Sequence, residues 1–116
     1  MQPVRRRHRR EIEMNRPHHY ERPFRVRADV ERAHWEGRFD ELDYIRPKHD
    51  FSDYESAFRY GWECRAAYGD ESWDALEEDL EAGWFRFRAT SPLAWDEAMP
   101  AARDAYEHAG RVAVAA

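Results

Sequence analysis

Three segments of this chain begin with the same four-residue pattern and continue as amphipathic helices. The pattern is [YW]-[DE]-x-[AL], and it starts at Tyr54, Trp73 and Trp95, which lie 19 and 22 residues apart. After each aromatic residue, apolar positions recur at the three- and four-residue spacing of one helix face. The acidic second residue falls in the first turn, where the helix dipole favours negative charge. Because such helices must cover one another's apolar stripes, the sequence predicts a mainly α fold built on a small three-helix bundle.

The predicted core of that bundle is rich in aromatic side chains. Tyr54, Phe58 and Trp62 share one face of the first helix, and Tyr60 lies on another. Aromatic residues at helical spacing are typical of a core, so we interpret residues 53–63 as a packing wall rather than a ligand site. Gly61 in this stretch indicates the close approach of another helix or of an indole. The predicted core residues are Tyr54, Phe58, Trp62, Trp73, Leu76, Leu80, Trp84, Trp95 and Tyr106.

Capping residues predict where the first two helices begin and end. Ser52 and Glu55 fit a capping box at the start of the first helix. That helix should run to Tyr68 and stop at Gly69, since glycine readily adopts a positive φ. Ser72 is the expected N-cap of a second helix over residues 73–87.

The third helix has a less regular pattern. Ser91 and Pro92 predict its N-cap and first helical position. Pro100 should kink or divide the helix, and Gly110 should end it. The predicted domains are therefore a helical bundle over residues 51–109 and a short tail over residues 110–116.

The N-terminal segment differs from the bundle in charge and in pattern. Residues 1–27 hold nine arginines and three glutamates, a net charge of +6, whereas residues 28–116 hold ten basic and 21 acidic residues, a net charge of −11. Residues 1–45 show little strong periodicity, so we predict an extended or partly disordered basic arm. Within it, residues 24–30 alternate in a way that permits a short strand, and Trp35, Phe39 and Leu42 mark one face of a short helix.

The helical part resembles a known group of proteins. The residues that carry the likeness are D-Y-E-S-A-F-R-Y-G-W-E, then S-W-D-A-L-E-E-D-L-E-A-G-W, then L-A-W-D-E-A-M-P-A-A-R-D-A-Y. Over residues 50–108 the chain resembles small bacterial proteins of unknown function that are associated with stress responses. It departs from their pattern at Ala102 and Tyr106, where a larger aliphatic residue and a tryptophan are common. The resemblance implies a helical domain and a bacterial origin, and it brings no catalytic residues.

Titratable residues form no familiar catalytic or metal-binding motif. His18 and His19 are adjacent, but no H-x-x-x-H or C-x-x-C spacing sets a metal geometry. The carboxylates of residues 77–81 are typical of a solvated face, and Cys64 of a small buried hydrophobe. We therefore predict that the protein is not an enzyme and holds no metal or cofactor. A catalytic site would require His108 beside Cys64 or beside a carboxylate.

Together these features predict an interaction or accessory protein. Its arginines would attract an acidic protein surface or larger assembly, and its aromatic residues would supply buried area. Nucleic acid is the alternative partner because clustered guanidinium groups bind phosphates, although the acidic remainder of the chain would repel them. The lone cysteine favours the cytoplasm, and no apolar run approaches the roughly 20 residues that span a bilayer. The predicted partner-binding residues are Arg5, Arg6, Arg7, Arg9, Arg10, Tyr20, Phe24, Trp35 and Phe39.

Overall fold

The computed structural model describes the backbone of residues 25–115 and the side chains of residues 25–112. This part of the chain contains four α-helices and no strand, so the mainly α prediction is confirmed. The elements are α1 (Ala28–Arg38), a 3₁₀ turn (Phe39–Glu41), α2 (Phe51–Tyr68), α3 (Trp73–Phe87) and α4 (Trp95–Ala115).

α1 lies inside the segment that the sequence predicted to be extended. Its first turn carries Asp29 and Glu31, which suit the positive end of the helix, and the Glu31 N–H donates to the Arg27 carbonyl at 2.9 Å. The predicted short strand is therefore wrong for residues 28–30. The predicted short helix exists as α1, but it ends at Arg38, so that Trp35 lies in it and Phe39 and Leu42 follow it. Residues 1–24 of the predicted arm lie outside the described residues.

α2 begins at a capping box that lies two residues before the predicted one. Asp50 Oδ1 accepts from the Asp53 N–H at 3.2 Å, and Asp53 Oδ2 accepts from the Asp50 N–H at 3.4 Å. The Ser52 hydroxyl donates to Asp50 Oδ1 instead. The predicted box is wrong because a carboxylate is the stronger acceptor for a backbone N–H. Gly69 ends α2 with a positive φ of 66°, as predicted.

The predicted start of the third bundle helix is also wrong. Ser91 donates its hydroxyl to the Asp53 carbonyl at 2.7 Å, so it fastens the α3–α4 connection to α2. α4 starts at Trp95, where the Glu97 side chain accepts from the Ala94 N–H at 3.1 Å. By contrast, the Ser72 side chain caps α3 as predicted, accepting from a backbone N–H one turn into the helix.

α4 continues through Pro100 and Gly110 to Ala115, so the predicted division and the predicted stop are both wrong. The missing N–H of Pro100 removes a bond close to the helix start, and packing against α2 keeps the helix intact. Gly110 leaves room for the Arg65 side chain, because a Cβ at this position would lie only 2.6 Å from the Arg65 guanidinium carbon. Arg65 is buried, donates to the Tyr106 carbonyl at 3.0 Å, and lies 3.7 Å from the centroid of the Tyr106 ring.

The core fills the space between α2, α3 and α4. All of the predicted core residues except Trp95 are buried, and Trp95 is half-buried and packs against the same cluster. The tyrosine hydroxyls in this core bond to backbone carbonyls: Tyr60 donates to Leu80 at 2.7 Å, and Tyr106 donates to Glu71. Residues 53–63 therefore form a packing wall, as their spacing predicted.

α2 and α4 approach each other at Gly61. A Cβ at this position would overlap the Ala102 carbonyl oxygen and lie 2.8 Å from the Ala105 Cβ. Ala102 and Ala105 are fully buried. The absence of a side chain at Gly61 therefore sets the distance between the two helices.

Adding a methyl group at Gly61 tests this constraint. Because Gly61→Ala must push α4 away from α2, we expect the free energy of unfolding to fall by about 1–3 kcal/mol. Gly37→Ala in α1 is the matched control, since nothing lies within 4 Å of its added Cβ. It should raise the free energy of unfolding by about 0.5–1 kcal/mol, because alanine is the better helix former. Urea denaturation followed by circular dichroism measures both, and equal effects would show that close approach is not the constraint.

Candidate interaction site at the seam of the first and last helices

α1 is held against the body of the protein by an aromatic stack. The Trp35 indole lies 4.9 Å from the Phe58 ring, centroid to centroid, with an interplanar angle of 9°. Only 4% of Trp35 is exposed. It therefore does not fit the predicted partner-binding role while α1 is docked. Phe39 is half-buried and contacts the Phe51 and Tyr54 rings at 5.6 and 5.7 Å.

Truncating Trp35 tests whether it serves the core. We expect Trp35→Ala to lower the free energy of unfolding by about 3–5 kcal/mol, the usual cost of removing a large buried aromatic side chain. Phe85→Ala is the matched control, because 76% of Phe85 is exposed. It should change the free energy of unfolding by less than about 0.5 kcal/mol. A small effect at Trp35 in thermal or urea denaturation would contradict its assignment to the core.

Two histidines and a glutamate form a polar contact beside this stack, which we call the histidine cluster. Glu31 of α1 is 2% exposed, and its Oε1 lies 3.0 Å from Nδ1 of His108 of α4. His34, one turn further along α1, stacks on His108 with ring centroids 3.8 Å apart. The cluster therefore joins α1 to α4 by a hydrogen bond and a ring stack.

The surroundings of His34 disfavour its charged form. Partial burial is the main cause that lowers the pKa of His34, and electrostatic repulsion from His108, Arg38 and Arg111 lowers it further. The Glu31 carboxylate, which belongs to the cluster, forms its hydrogen bond with His108 rather than with His34. The stack therefore accommodates a neutral His34 better than a protonated one.

This arrangement predicts a dependence of stability on pH. Because the pKa of His34 is lower in the folded chain than its usual value of 6.5, the unfolded chain binds the proton more readily. The contribution of neutral His34 to the free energy of unfolding is therefore complete above pH 6.5, and it is lost as the pH falls from there through the pKa of His34 in the folded chain. We expect urea denaturation to show that acidification from pH 8 to pH 5 destabilises the parent more than His34→Gln. A constant difference between the two proteins across this range would contradict the prediction.

A groove of about 750 Å³ lies beside the histidine cluster, between the start of α1 and the end of α4. We call it the groove. Its aliphatic lining comes from Val26, Val30, Ala109 and Val112, and Val30 and Val112 are 41% and 40% exposed. Exposed aliphatic residues that line one concave surface are typical of a binding site rather than of scattered surface residues.

The groove also carries charge. Arg25 and Arg27 line it, both exposed, and Arg111 is exposed next to Val112. Glu31 is the acidic residue among the groove's lining side chains, and its carboxylate is bonded to His108. The groove is therefore suited to an apolar side chain that is accompanied by negative charge.

Most of the predicted partner-binding residues cannot be placed. Tyr20, Phe24 and the arginine run Arg5, Arg6, Arg7, Arg9 and Arg10 lie outside the described residues. Arg25, Val26, Arg27 and Val30 line the groove but are not among the partner-binding residues that the sequence predicts. The alternation of basic and apolar residues over 25–27 is the signal in the sequence, and it is equally compatible with a strand. The other side of the groove comes from Ala109 and Val112 of α4, far away in the chain.

The other chemically active groups are engaged in packing. Cys64 is buried, and desolvation raises the pKa of its thiol to about 12, with a smaller contribution from Glu63. His108 lies beside the Glu31 carboxylate, which is one of the arrangements that the predicted catalytic site would require. In the described residues, however, the contacts of His108 join α1 to α4.

In residues 25–115, no group of three or more His, Cys, Asp and Glu side chains is arranged to hold a metal ion. The helices within that range are also too short or too polar to cross a membrane.

Comparison with known proteins adds no relative. No protein-family model matches this chain, and neither a curated protein nor a solved structure is significantly similar to it. The geometry and charge of this chain are therefore the basis on which its function is inferred.

Proposed function

We propose that this protein is a non-enzymatic interaction protein that binds an acidic protein segment bearing an apolar side chain. The groove and the arginines that precede it are the binding surface. The apolar side chain would enter between Val30 and Val112, and carboxylates of the partner would meet Arg25 and Arg27. In this proposal the protein acts in the cytoplasm of a bacterial cell, in the stress setting that the resemblance implies.

The groove is the observation that carries the proposal. It combines aliphatic surface with exposed guanidinium groups at the end of the described chain that leads to the arginine run. Apolar surface at the centre of a contact supplies affinity, and charges at its rim supply specificity and faster association. A groove of this kind is better suited to a protein side chain than to a phosphate backbone, which offers no apolar group to bury.

Charge elsewhere in the chain also favours a protein partner. Residues 70–81 contain seven acidic residues and no lysine or arginine. A long nucleic acid that followed the arginine run onto the helical body would meet this negative potential. Nucleic acid remains the competing partner, because R-R-R-H-R-R can bind phosphates without help from the body.

Fluorescence anisotropy with defined probes tests the proposal on the full chain. The first probe is a short labelled helical peptide that carries several glutamates and one phenylalanine on one face. Its two controls replace phenylalanine with serine and the glutamates with glutamine. We expect the parent peptide to bind, both control peptides to bind about tenfold more weakly, a loss of about 1.4 kcal/mol, and added salt to weaken binding.

Variants of the protein show whether the groove is the surface used. Val30→Asn and the double variant Arg25→Gln, Arg27→Gln should each weaken peptide binding about tenfold. Arg86→Gln, an exposed arginine on α3, should leave it unchanged. Unchanged binding by the groove variants would contradict the proposal. Tighter binding of single-stranded DNA than of the peptide, lost when Arg5, Arg6, Arg7, Arg9 and Arg10 become Gln, would replace it with the nucleic-acid function.

A further inference from the structure

The inner surface of the groove is aliphatic and offers few hydrogen-bond partners. Four of its lining side chains carry no polar atom: Val26, Val30, Ala109 and Val112. The Glu31 carboxylate also lines the groove, but it already lies 3.0 Å from His108 Nδ1. A peptide backbone buried on this surface would leave its N–H and C=O groups without side-chain partners, which is costly, whereas an alkyl chain has no polar groups to satisfy.

The groove is larger than a single amino-acid side chain. Its volume of about 750 Å³ falls within the range of roughly 300–1,000 Å³ that is typical of sites for small molecules. Val30 and Val112 are 41% and 40% exposed, so apolar surface on both helices remains in contact with water. A long apolar ligand would remove more of this surface from water than one side chain can, and binding is favoured in proportion to the apolar area removed.

The charges at the groove are suited to an anionic group. Arg25 and Arg27 line the groove, and both are exposed. Arg32 of α1 is paired with two glutamates, whereas Arg25 and Arg27 form no ion pair with any residue that the structure describes. Arg27 is the N-cap residue of α1, which places it at the positive end of the helix dipole. Asp29 is exposed nearby in the sequence but does not line the groove. A carboxylate at this end of the groove would therefore meet guanidinium groups that can form charge-assisted hydrogen bonds with it.

We propose that the groove binds a free medium-chain fatty acid, with its alkyl chain against Val30 and Val112 and its carboxylate at Arg25 and Arg27. The alkyl chain matches the aliphatic lining and the volume, and the carboxylate matches the two arginines. The two long acyl chains of a membrane phospholipid would need more room than this volume provides. The ligand is therefore a single-chain carboxylate rather than a lipid surface.

Fatty-acid binding is a function beyond the proposed one, and it uses the same surface. A fatty acid in the groove covers Val30 and Val112 and neutralises Arg25 and Arg27, which are the residues that the acidic peptide would contact. The bound ligand therefore excludes the peptide and controls its binding. That control rests on the proposed function, whereas the binding of the fatty acid does not.

Isothermal titration calorimetry of the full chain with decanoate tests the inference, at concentrations below those at which the ligands form micelles. We expect saturable binding of one decanoate per chain. Octanoate should bind about fifteenfold more weakly, because it has two fewer CH₂ groups to bury. Decyltrimethylammonium has an alkyl chain of similar length and a positive head group. It should bind about tenfold more weakly or worse, because the arginines repel it.

Variants of the protein locate the binding. Val30→Asn and the double variant Arg25→Gln, Arg27→Gln should each weaken decanoate binding about tenfold or more. Phe85→Asn and Arg86→Gln are the matched controls, since they make comparable changes at exposed residues of α3 and should leave the affinity unchanged. Circular dichroism checks that each variant is folded. Nuclear Overhauser effects between decanoate and the methyl groups of the groove valines locate the alkyl chain in the parent protein without any substitution.

The absence of saturable decanoate binding would overturn the inference. So would equal affinities for octanoate and decanoate, binding that survives both groove variants, or simultaneous binding of decanoate and the labelled acidic peptide. Displacement of the bound peptide by decanoate would support both the inference and the proposed function. If decanoate binds and the peptide does not, the inference stands and the proposed function falls; if the peptide binds and decanoate does not, the reverse holds.

Discussion

The close approach of α2 and α4 at Gly61 determines where the other helices can pack. With no side chain at Gly61, the Ala102 backbone and the Ala105 methyl group come within van der Waals range of α2. This short distance lets α1 bridge both helices, with Trp35 on Phe58 of α2 and His34 on His108 of α4. A wider spacing would separate Phe58 from His108, and α1 could no longer contact both.

Arg65 shows how a charged residue can be part of such a core. Its guanidinium fills the space above Gly110, donates to the Tyr106 and Gly69 carbonyls, and lies 3.7 Å from the Tyr106 ring centroid. Burying a charge is costly unless hydrogen bonds replace its water, and here backbone carbonyls and an aromatic face do so. The same arrangement explains why α4 continues past Gly110, and α4 must continue for Val112 to line the groove.

The proposed interaction follows from this continuation of α4 and from the docking of α1. The groove exists only where the start of α1 meets the end of α4, and its aliphatic and basic residues come from both. The histidine cluster holds α1 and α4 together beside the groove, so the groove and the cluster depend on the same contact between these helices. A change that weakens the His34–His108 stack would also alter the binding surface, which connects the pH dependence of the fold to the proposed function.

Apolar stripes at helical spacing predicted α2, α3 and most of the core, because such stripes can be buried in few ways. Trp73, Trp84 and Phe58 are core residues for that reason, and Ser72 and Gly69 mark helix ends through local hydrogen bonding and a positive φ. Only the tertiary structure decided which role Ser91, Gly110 and Trp35 have, since each depends on a residue far away in the chain. The groove was hidden for the same reason: Val30 and Val112 are separated by 82 positions in the sequence, and only the packing of α1 on α4 brings them together.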